Sequence, residues 1–292
     1  MLRRIISAVF AASLLSLIPS SHATAETPPG FDRVMAAAKR FEELQRAAQA
    51  KNTMPRIADP EAGSSGPPKA GSSGPSDGSS DPHEVADLLA TLSDADSLFG
   101  TATYDGKDAP VLLDVCGKVS QIAMNYMQSG LAAVSDKGDS RDEMTRKSLI
   151  LEAQNLVTFQ AEVVPILAFE LRCQARLSHA MADFLSHLPP SEWTDNRRQS
   201  LQNTRLGITA LVSEKFRVLD ARDDSLKPQS KALIASALAD TAPTIAEILS
   251  VEQRKSIVAM AENITPPAEL KPALERLIAA MSRADCEGLC QR

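Results

Sequence analysis

Apolar residues recur at three- and four-residue spacing over nearly all of the chain from His83 onward, and proline punctuates the pattern. That spacing puts one apolar stripe on a helix and leaves no alternating run for a strand. Aromatic residues are only 4% of the chain, against 43% hydrophobic. The core must therefore be built mainly from Ala, Leu, Val and Ile, and Ala- and Leu-rich segments favour helix. The expected fold is all-α, a helical bundle of about six to eight helices over residues 83–292. A disordered linker and a separate amphipathic helix precede it.

The helices are read from stripes and breakers. Asp81-Pro82 starts a short helix through Val85, Leu88, Leu89 and Leu92. Pro110 opens the next, with its stripe at Leu112, Val115, Val119, Ile122 and Tyr126. The stretch from Ser140 to Leu188 is too long for one straight helix in a compact bundle. Pro165 lies inside it, so a kink or break is expected near Glu162. Ser191 is the expected cap of the following helix. Three shorter helices come after it, with Pro228, Pro243 and Pro266-Pro267 as separators.

The first 25 residues read as an export signal. Arg3 and Arg4 lead an apolar run from Ile5 to Ile18, and Ala23-Thr24-Ala25 offers a small-x-small cleavage site. The run is shorter than the roughly 20 residues a membrane span needs. The expected location is periplasmic or secreted, with no membrane span after cleavage. The formal net charge is −6, and loss of Arg3 and Arg4 with the signal takes it to −8. Such acidity argues against nucleic acid as a partner, because phosphate binding needs clustered Lys and Arg.

Residues 26–50 hold an amphipathic helix with Phe31, Val34, Phe41 and Leu44 on one stripe. These four follow the pattern by which a helix docks in a groove, on its own core or on a protein partner. They are the candidate partner-binding residues. Residues 51–82 read as a linker: Ala62-Gly-Ser-Ser-Gly-Pro67 recurs as Ala70-Gly-Ser-Ser-Gly-Pro75. A Gly/Ser coil of this length reaches about 30 Å.

Four cysteines, Cys116, Cys173, Cys286 and Cys290, imply two disulfides in an oxidising compartment, with three possible connectivities. If the chain makes a simple hairpin turning near Lys137, Cys116 does not face Cys173. A direct Cys116–Cys173 bond needs a longer loop or a break at Pro165; the favoured expectation is that Cys286 and Cys290 reach back to staple the bundle.

No cofactor is expected, and no catalytic or metal site. His179 and His187 are eight residues apart, too far for a shared ligand set on one helix, and Met181, Met124 and Met127 sit amid core positions. Asp94 and Asp96, like Asp220, Asp223 and Asp224, fall at helix ends, where Asp serves as a cap. Ser250-Val-Glu-Gln253 spells a capping box. With Leu249 it also resembles, over five residues, the L-T-x-x-Q element of small helical periplasmic stress chaperones. Those proteins carry the element twice; here it occurs once, with Ser for Thr. Two functions are compatible with these observations. The first is a non-catalytic interaction protein or chaperone-like helper of the periplasm. The alternative is a ligand-binding or catalytic bundle with its site between helices. Oligomeric state is open.

Overall fold

The computed structural model describes residues 25–57, 81–134, 138–220, 222, 224–283 and 288–291. All but the last residue of the expected signal (1–24 of 1–25), most of the expected linker (58–80 of 51–82), Lys137, Asp223 and Cys286 lie outside the described residues. Eleven α-helices and no strand are found among those described. In chain order they are α1 (Phe31–Gln49), α2 (Pro82–Ser93), α3 (Ala95–Phe99), α4 (Ala109–Met127), α5 (Leu131–Val134), α6 (Arg141–Thr158), α7 (Gln160–Ser186), α8 (Asp195–Leu219), α9 (Pro228–Ala246), α10 (Val251–Asn263) and α11 (Lys271–Met281). Ten of them, α2 to α11, belong to the expected bundle; that exceeds six to eight because two single-turn segments, α3 and α5, form, and because the long central stretch is divided.

α7 is the spine of the molecule and is buried on two faces. Val163, Ile166, Phe169, Cys173 and Leu177 join an N-terminal core built with α1 to α4. Val164, Ala168, Leu171, Met181 and Leu185 join a C-terminal core built with α8 to α11. Consecutive residues of one helix thus feed two cores, which a helix can do only if it is apolar nearly all round.

The break before α7 falls at Phe159, three residues earlier than the expected position near Glu162. Pro165 itself lies within α7. Phe159 leaves the helical region, yet its carbonyl still accepts from Val163 N at 2.9 Å, so α7 starts afresh before the proline is reached. A proline in the second turn then costs less than one in mid-helix, because few upstream carbonyls remain to be lost. Pro243 likewise does not separate two helices; it lies in the last turn of α9. Thr194, not Ser191, caps α8: its hydroxyl accepts from Arg197 N, while Ser191 sits in a 3-10 turn over Pro190–Glu192.

The N-terminal helix is docked on its own chain. Val34 and Phe41 are fully buried and Leu44 nearly so, packed against α2 and α4. Gln45 donates to the Ile122 carbonyl and accepts from Asn125, which ties α1 to α4 across the seam. Entry to α1 depends on Gly30, whose N–H donates to Leu98 O. A Cβ there would lie 2.6 Å from the Ser97 carbonyl oxygen. The chain after α1 is also fixed as far as Ile57. Met54 and Pro55 are buried, Tyr126 donates to Pro55 O, and Glu162 accepts from both Arg56 Nε and Ile57 N. The expected flexible stretch therefore cannot begin at Lys51.

Cys116 and Cys173 are bonded to each other, with Cα atoms 5.9 Å apart. This corrects the expected staple from the C-terminus. α4 does not meet its antiparallel neighbour through a tight turn. The chain runs on through α5 and the first half of α6, and returns to the end of α4 at Asn155. The Asn155 amide donates to Met127 O and Ser129 O. The longer excursion shifts the register and brings Cys173 level with Cys116. Cys290 is also disulfide-bonded.

Candidate functional site

Two features of the surface stand out: an arm with its apolar face turned outward, and a cleft in the C-terminal layer. The arm is α5 with α6. Of the large hydrophobic side chains exposed among the described residues, Val134, Met144, Leu149, Ile150 and Val157 lie on it, and only Leu206 lies elsewhere. α6 is inverted: its buried residues are Ser148, Glu152 and Asn155, all polar. Leu149 is 58% exposed and Ile150 46%. At 100° per residue, Leu149, Ile150, Ala153 and Val157 share the side opposite the buried polar row. The polar row is satisfied internally, since Ser148 donates to Glu152 and Asn155 holds the end of α4. Burying the polar face while wetting four apolar side chains runs against the hydrophobic effect, which is worth about 25 cal/mol per Å² of apolar area.

The cleft has a volume of about 550 Å³ and lies between α7, α9, α10 and α11. Its lining includes His179 and Asp183 on α7, Glu247 just past α9, Arg254 on α10 and Arg283 past α11. His179 Nδ1 and Glu247 Oε2 are 2.9 Å apart. Arg254 is 7% exposed, and its buried Nε has no hydrogen-bond partner. Burial alone lowers its affinity for its proton. Neighbouring Arg205 is fully buried but bonded: its Nε donates to Ile248 O and its Nη2 to Leu289 O. Its affinity for its proton is lowered mainly by burial; the opposite charge of Glu252 works against this, and the like charge of Arg254 adds a smaller lowering.

The structure distributes the sequence candidates as follows. Phe31, Val34, Phe41 and Leu44 are brought together, but in the N-terminal core, with Phe31 only partly buried. His179 lines the cleft, Met181 is buried in the C-terminal core, and His187 is exposed at the end of α7. These three therefore do not converge, and among the described residues no cluster of His, Cys, Asp and Glu could hold a metal. Asp94 caps α3 through Ser97 N, and Asp220 pairs with Arg222. Ser250 and Gln253 form the reciprocal capping box of α10, which accounts for their spacing by local backbone chemistry. Sequence reading missed Arg254 and the exposed face of α6. Helical periodicity alone does not single out Leu149 or Ile150, and nothing in the sequence marks Arg254 as buried.

No protein-family model matches the chain, and no curated protein or solved structure is significantly similar to it. No helix among the described residues is long and apolar enough to cross a membrane.

Proposed function

We propose that this is an exported, non-catalytic interaction protein of the periplasm, and that its α5–α6 arm transiently holds apolar segments of non-native polypeptides. The inverted burial of α6 carries the reading. The Cys116–Cys173 disulfide is compatible with an oxidising compartment, and the charged start and apolar run of the first 25 residues support export. The size of the face selects the occupant. Leu149 to Val157 spans about 12 Å of helix. A stable dimer buries about 800 Å² per partner, more than four side chains on one helix can supply. A short apolar segment of an unfolded chain needs no larger surface.

The test is light scattering by a reduced, aggregating client protein with and without the mature chain. Wild type is expected to delay aggregation, and the Leu149→Lys/Ile150→Lys double variant to lose that effect. Both positions are exposed, so the variant's stability should stay within about 0.5 kcal/mol of wild type. Equal protection by both proteins, or none by either, overturns the reading. A wild-type dimer that the double variant converts to a monomer overturns it in favour of self-association. The second reading, a bundle that binds a ligand between its helices, is favoured by the cleft at Arg254.

A further inference from the structure

Arg254 is the most heavily buried cation on the cleft, and its buried Nε has no hydrogen-bond partner among the described residues. A guanidinium remains charged at every physiological pH and presents five donors. Arg205 and Lys231, buried to a similar degree, each donate to backbone carbonyls. Among the described residues Arg254 makes no ion pair with a carboxylate, and burial is what lowers its affinity for its proton. Buried polar groups in native proteins are nearly always satisfied, and a buried charge without a partner is costly unless something outside the chain supplies one.

We propose that the cleft binds a short peptide with free termini and small apolar side chains, its carboxylate held by Arg254 and Arg283 and its ammonium facing Asp183 and Glu247. Three observations support this ligand class. The lining brings two guanidiniums, Arg254 and Arg283, and two carboxylates, Asp183 and Glu247, to one cleft, so it offers partners to both ends of a zwitterion. Its lining also includes Ala182, Ala246 and Ala280, which leave room for methyl-sized side chains. Its volume of about 550 Å³ falls within the range of small-molecule sites, about 300–1,000 Å³. Arginine suits the carboxylate end because its planar fork can bond both oxygens at once.

Isothermal titration calorimetry on the full mature chain tests this, with trialanine, N-acetyl-trialanine, trialanine amide and inorganic phosphate as probes. Trialanine is expected to bind, and blocking either terminus to weaken binding at least tenfold. Arg254→Met should lose tenfold or more, and Arg283→Gln threefold or more. Without ligand, Arg254→Met should not lower the unfolding temperature, because it removes an uncompensated buried charge. The proposal is overturned if trialanine gives no heat, if phosphate or the amide binds as tightly, or if folded Arg254→Met binds like wild type. Should Arg254→Met fail to fold, Arg283→Gln decides alone. Arg283 is exposed, so that variant keeps the fold, and an unchanged affinity rejects the site.

Discussion

In the N-terminal layer the buried charges are carboxylates: Asp108, Glu152 and Glu162. In the C-terminal layer they are mostly cations: Arg205, Lys215, Lys231 and Arg254. Several of these charges do similar work with opposite chemistry. Asp108 accepts from the backbone N–H groups of Glu26 and Asp105, and Glu162 accepts from Ile57 N. Arg205 donates to the carbonyls of Ile248 and Leu289, and Lys231 to that of Asp220. Non-helical chain has peptide groups that no helix satisfies, and a buried charge can satisfy them at one point. The N-terminal layer captures its straps by their donors, the C-terminal layer by their acceptors. Arg254 departs from this pattern, which is why it marks a site.

The layers also differ in how they are filled. The four ring–ring contacts among the described residues all lie in the N-terminal layer, including Phe41 with Tyr126 and Phe99 with Phe169. The C-terminal core is mainly aliphatic, with Ala235, Ala237 and Ala242 letting α9 approach its neighbours closely. Because α7 belongs to both, damage on one side tests how far the layers unfold as one unit.

The largest effect should come from Phe41→Asp. Phe41 is fully buried, and truncating such a ring to Ala already costs about 3–5 kcal/mol. The sequence reading of α1 as a partner-binding helix implies no change in unfolding temperature. The docked structure implies a large fall, read by calorimetry. Breaking the disulfide with Cys116→Ser/Cys173→Ser comes next. It closes a loop with a sequence separation of 57, worth about 4 kcal/mol in the chain-entropy model. Amide exchange should accelerate more in α1 to α4 than in α8 to α11; equal acceleration means one cooperative unit. Glu162→Ala removes the acceptor for Arg56 and Ile57 and should cost about 1–3 kcal/mol, with faster proteolysis near Met54.

The smallest effect concerns pH. The side-chain hydrogen bond from Arg222 is the main reason that the Asp220 carboxyl sits well below the usual carboxylate range. A depressed folded value means its contribution is complete above the unfolded value of about 3.9 and is lost as pH falls toward the folded one. Asp220→Asn should flatten acid unfolding below about pH 4 without changing stability at pH 7 by more than the loss of that contribution. Acid melts of the two proteins that superimpose reject the role.

Much of the fold was legible because its signals are local. The Asp81-Pro82 start, Pro110 near the start of α4 and the capping box at Ser250 each depend on residues within one turn. The candidate sites were less legible. Phe31, Val34, Phe41 and Leu44 were correctly read as one apolar stripe, but a stripe does not say what covers it. Nothing in the sequence reading set Leu149, Ile150 and Val157 apart, and the docking of α6 on α4 through Asn155 leaves them exposed.

The sequence by itself determined the all-α class and the cysteine content, because helical periodicity and composition act without reference to distant residues. Tertiary structure alone decided that Cys116 meets Cys173, that α1 packs on its own core, that α6 shows its apolar side to water, and that the Arg254 Nε is buried without a hydrogen-bond partner. Each of those depends on which helix lies opposite which, at what register. That is fixed by the sum of many weak packing contacts over the whole chain, and no short segment encodes it.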